Sequence, residues 1–74
     1  MTNARQVFWL GRVPSYCQVS GTPITDEFVD GRSANGQWAI MHPETFAALG
    51  HPFGPGFGQK YKKQSDGKWL KVAG

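Results

Sequence analysis

The chain has 74 residues, eight Lys or Arg against five Asp or Glu, and a formal charge of +3. That length fits one small domain, residues 1–74, which buries only about 60% of its unfolded surface and commonly needs a metal, disulfides or a partner to be stable. The single cysteine, Cys17, excludes an internal disulfide. No apolar run approaches the ~18 residues of a membrane span, and the first residues lack a signal-peptide apolar core.

Residues 1–6 are polar and read as an N-terminal arm. Val7 to Val13 reads as a short strand with Phe8 and Leu10 on one face and Val7 and Trp9 on the other, so its second face is expected to meet another surface. Pro14 and Ser15 end it, and a knuckle follows around Ser20-Gly21 and Pro23. Ile24–Ser33 and Gln37–Met41 form a hairpin, because Ala34-Asn35-Gly36 supplies residues that accept a tight turn. Alternation predicts that Trp38 and Ile40 face the core. His42-Pro43-Glu44 opens a short helix that runs to Leu49 and stops at Gly50, with Phe46 and Leu49 as its buried stripe. Residues 50–58 are a Gly/Pro-rich covering loop. A second hairpin joins Gln59–Lys63 to Lys68–Val72 through Ser65-Asp66-Gly67.

One spacing stands out. Cys17 and Ser20, then His42 and Thr45, occupy the four positions of a metal module that reads C-x2-C, a hairpin, then C-x2-C or H-x2-C at the start of a short helix. Two of the four are alcohols, which Zn²⁺ rarely accepts beside thiolate and imidazole. The expected fold is therefore a small α+β domain with two β-hairpins and one short helix, shaped like a zinc ribbon or treble clef, with neither metal nor cofactor.

Other chemistry reads more weakly. Cys17, His42 and Asp30 have the residue types of a nucleophile, base and orienting group, but two old ligand positions meet in such a fold without catalysis. Asp26, Glu27 and Asp30 lack the spacing of a calcium loop. Gly54-Pro55-Gly56-Phe57-Gly58 lacks the Gly-Lys-Ser/Thr ending and following helix of a phosphate loop. Lys60, Lys62, Lys63, Lys68 and Lys71 surround Tyr61 and Trp69, a mixture that suits nucleic acid or an acidic protein surface, and equally a solvated edge hairpin.

The blocks Asp-Glu-Phe-Val-Asp-Gly-Arg (26–32), Gly-Gln-Trp-Ala-Ile-Met (36–41) and Gly-Phe-Gly-Gln-Lys-Tyr (56–61) occur in the order found in small bacteriophage zinc-ribbon-like proteins, which the chain resembles over about residues 16–72. The resemblance departs at Ser20 and Thr45, which stand where the pattern has ligands, while His42 stands for a third. It implies a phage protein made in the host cytoplasm and placed in the virion. The preferred expectation is a non-enzymatic capsid decoration or cement protein that docks on the major capsid protein or another virion protein, away from membranes. Homo-oligomer formation on the lattice stays open. Phe8, Trp9, Phe53 and Phe57 are the expected anchors, since buried aromatics dominate interface energies, and Lys60, Lys62 and Lys63 are expected to meet an acidic surface. The alternative is a small nucleic-acid-binding or host-directed regulatory protein.

Overall fold

Phe28 and Val29 are consecutive in a strand, point to opposite faces of it, and are both fully buried. A computed structural model, which describes residues 6–74, shows how both faces come to be covered. The elements are β1 (Glu27–Arg32), β2 (Trp38–Met41), α1 (Pro43–Ala48), β3 (Gly58–Lys63) and β4 (Trp69–Ala73). The strands form one antiparallel sheet in the order β2-β1-β3-β4, and with α1 they make a small α+β fold.

The two hairpins form where the sequence places them, and their turns use the same device. Gly36 and Gly67 both take positive φ, +86° in each case. The carboxamide oxygen of Asn35 accepts the Gln37 N–H at 3.1 Å, and the Asp66 carboxylate accepts the Lys68 N–H at 2.9 Å. The side-chain acceptor satisfies a backbone donor that the turn itself leaves open. β1 and β3 then join the hairpins, with Phe28 opposite Tyr61 and Gly31 opposite Gly58.

α1 starts at Pro43, whose missing N–H costs nothing in the first turn, and His42 Nδ1 accepts the Glu44 N–H at 3.3 Å. Gly50, with φ +76°, closes the other end and donates its N–H to Ala47 O at 3.1 Å. The helix lays Phe46 on the sheet over the paired Gly31 and Gly58. A Cβ on either glycine would lie 2.7–2.8 Å from that ring, so the absence of side chains there is what lets the helix approach. Phe46, Val29, Met41 and Cys17 form the core on this face, with Ala39 and Leu49 packed beside them.

The opposite face is aromatic. Phe28 lies between Tyr61, stacked at 5.1 Å, and the edges of Trp9 and Trp69 at 5.3 and 5.1 Å. Trp9 also meets Tyr61 at 5.4 Å, so this residue is held within its own domain.

Three expectations are corrected. The strand foreseen over Val7–Val13 contracts to one bridge, Phe8 with Leu70, because the chain bends at Gly11. The first hairpin strand begins at Glu27 instead of Ile24. Ala39 and Met41 face the core, not Trp38 and Ile40: Met41 is fully buried while Trp38 is half exposed. The foreseen helix loses only Leu49, which becomes its C-cap. Of the arm expected over 1–6, all but Gln6 lies outside the described residues.

Both outer edges receive partners from outside the hairpins. On β2, Gln18 donates its N–H to Ile40 O at 2.9 Å and accepts the Ile40 N–H on Oε1 at 2.8 Å. On β4, Trp9 N–H donates to Trp69 O at 2.9 Å and Lys71 N–H to Val7 O at 2.7 Å.

Candidate functional site

The knuckle is a miniature hairpin, closed by Cys17 N–H to Thr22 O at 2.7 Å and Ile24 N–H to Ser15 O at 2.9 Å, with Gly21 at φ +78° in its turn. It curls the backbone around the Cys17 sulfur. Sγ accepts the N–H groups of Val19 and Ser20 at 3.4 and 3.3 Å. Sγ also lies 3.8 Å from the Thr45 hydroxyl, which donates to Ser20 Oγ at 3.2 Å, and Ser20 Oγ in turn donates to Thr22 Oγ1 at 2.9 Å. Cys17, Ser20 and Thr45 therefore converge as their spacing predicts. The His42 imidazole is occupied instead as the helix cap.

This donor set does not fit zinc. Among the described residues no three His, Cys, Asp or Glu side chains gather at one point. Hydrogen bonds hold the centre together, and they act on the thiol. Burial pushes the Cys17 pKa up, but the Ser20 side chain and amide, with the His42 and Val19 amides, outweigh it and bring it from 9.0 to about 6. The sulfur is buried, and Asp30 makes no hydrogen bond to Cys17 or His42 among the described residues. Asp30 is half-buried on β1, where burial raises its carboxyl above the usual range. Tyr61 is raised as well, first by burial and then by the Asp30 charge.

The lysines are dispersed and partly engaged. Lys60 pairs with Glu27 at 3.5 Å, Lys63 lies over the Trp69 ring and Lys68 over Phe8, both at 5.8 Å to the ring centroid. Lys62 stands opposite Glu27 on one side and Leu70 on the other. Successive residues of β3 face opposite ways, so Lys60 and Lys62 do not share a surface with Lys63.

The Gly/Pro-rich loop is tied by reciprocal bonds between Gly54 and Gly58 at 2.9 and 3.1 Å. Phe53 packs on Phe46 at 5.1 Å and His51 on Phe57 at 5.6 Å, yet Phe53 and Phe57 each stay partly exposed. Between loop and helix lies an open, largely apolar depression of about 540 Å³, lined by Pro43, Phe46, Ala47 and Phe53 with Glu44 and Lys60.

Sequence reasoning missed three contributors. Gln18 closes an edge, His42 caps α1, and Gly31 with Gly58 seat Phe46. Only the cap had a visible signal, the polar residue immediately before Pro43 and Glu44. No protein-family model matches the chain, and neither does any curated protein or solved structure.

Proposed function

We propose that this is a non-enzymatic phage structural protein of the zinc-ribbon-like kind, a capsid decoration or cement protein that docks on the major capsid protein. One observation carries the reading: a 74-residue domain leaves large apolar side chains open to water, among them Leu10 at 96%, Tyr16, Val19, Phe53 and Phe57. A lattice offers a surface to cover them, and docking stabilises a small domain by mass action. Phe8, Phe53 and Phe57 are the aromatic anchors in this reading. Trp9 acts indirectly, by holding the first segment against the sheet.

The zinc-ribbon-like kinship is supported by the backbone amides curled around Cys17 and by Ser20 and Thr45 standing beside it. If these are former ligand positions, Ser20→Cys with Thr45→Cys will bind Co²⁺ and give thiolate-to-metal absorption, after His42 turns from its cap. An unchanged spectrum at saturating metal counts against the kinship.

Co-sedimentation with capsids and with free DNA, at low and physiological salt, tests the function. Saturable capsid binding that survives physiological salt supports it. Binding confined to DNA and fading with salt replaces it with the nucleic-acid reading.

A further inference from the structure

The two bonds that lay the first segment along β4 also decide what its far side offers. Trp9 N–H reaches Trp69 O and Lys71 N–H reaches Val7 O, so Phe8 and Leu70 form a non-hydrogen-bonded pair between them. The N–H and C=O of Phe8 therefore point away from the sheet. Neither finds a partner among the described residues. Beside them Leu10 is 96% exposed and Val7 40% exposed, an apolar run on the outermost segment. Natural sheets seldom leave such an edge unguarded. The β2 edge of this molecule is closed at the corresponding place by Gln18.

We propose that this edge is a strand-addition site, where Phe8 pairs through its backbone with an extended apolar segment of a partner protein that carries acidic residues at its flanks. The unused N–H and C=O require a backbone as their complement. The flanking charge selects the partner: the Lys68 ammonium lies over the Phe8 ring, Lys71 follows on the strand whose backbone N–H holds Val7 O, and Arg12 stands two residues after Leu10. The nearby acid, Asp66, is turned to the Lys68 amide. A second copy pairing at the same edge would set these cations against their own kind, which disfavours it. The proposal rests on the docking reading above and supplies its chemistry.

The test titrates the ¹⁵N-labelled chain with a soluble peptide of alternating valine and threonine flanked by glutamates. The Phe8 amide should shift and its hydrogen exchange slow by about tenfold or more, while the Trp38 amide stays put. A lysine-flanked peptide of the same core should bind about tenfold more weakly at low salt. Phe8→Pro and Phe8→Ala both lose the ring, but only proline loses the outward-facing N–H, so proline should abolish binding and alanine should only weaken it. Should Phe8→Pro disturb the Tyr61 and Trp69 signals, Leu10→Asp replaces it by setting a like charge against the glutamate flanks, with the same loss expected. Equal binding by the proline and alanine variants overturns the proposal, as does an unmoved Phe8 amide. Self-association of the free protein through this edge overturns it too. Capsid binding that persists in Phe8→Pro would leave the docking reading standing and remove this edge as its means.

Discussion

The two faces of the sheet bury neighbouring residues of β1 equally well, but they do so by opposite means. On the helix side a single ring, Phe46, presses on main chain through a gap left by Gly31 and Gly58. On the aromatic side three rings surround Phe28, Tyr61 stacked and Trp9 and Trp69 edge-on, and Trp9 arrives on a segment tied among the described residues by two backbone bonds to β4. The first face depends on the absence of atoms and the second on the presence of large ones. A close-packed contact with backbone has no slack, whereas a ring cluster reached by a tether can open locally.

Phe46→Ala should therefore be the most damaging single change, costing about 4 kcal/mol, a large part of the stability of a domain this size. Gly31→Ala should cost about 3 kcal/mol by overpacking. Urea unfolding of both, and of the double variant, checks the cause: the double should be less unstable than the sum by about 1–2 kcal/mol, because removing the ring removes the clash. Additive losses would mean that Gly31 matters for some reason other than Phe46.

On the aromatic face Trp9→Ala should cost less, about 2 kcal/mol, since the ring is only partly buried. It should also speed hydrogen exchange at the position-9 amide and at Lys71 while leaving Val29 and Met41 protected. Uniform loss of protection would erase the distinction between a tethered face and a keyed one.

A pH-dependent effect belongs to Cys17. Its folded pKa, about 6, lies below the ordinary 9.0, so the unfolded chain binds more protons between these values. Stability contributed by the thiolate is full above about pH 9 and is lost as pH falls through about 6. Denaturation midpoints should rise from pH 6 to pH 9, and that slope should vanish in Cys17→Ala. A slope retained by the variant would assign the pH dependence elsewhere. Smallest of all, Lys60→Ala should change stability by less than about 0.5 kcal/mol, because its pairing with Glu27 is partly solvated.

The local parts of this fold were readable because turns and caps have local causes. Asn35-Gly36 and Asp66-Gly67 announce both hairpins, and Pro43 announces α1. The β1–β3 pairing has no turn of its own, so nothing near Gly31 in the sequence points to Gly58. The misreading of β2 has a similar origin. Alternation separates Trp38 and Ile40 from Ala39 and Met41 but does not say which pair a distant helix will cover, and residue size favoured the wrong pair. At the knuckle the spacing brought Cys17, Ser20 and Thr45 together correctly. It did not reveal that His42 would turn to the helix, because capping competes for the same imidazole.

Gln18 has a consequence beyond closing an edge. In an antiparallel ladder only every second residue turns its N–H and C=O outward, and Gln18 grips both groups of Ile40 at once. Were β2 to slip by one residue while keeping its bonds to β1, Met41 would leave the face covered by Phe46, so the grip on Ile40 and the burial of Met41 belong to the same alignment. The knuckle thus fastens the hairpin from outside in the alignment that the buried face selects.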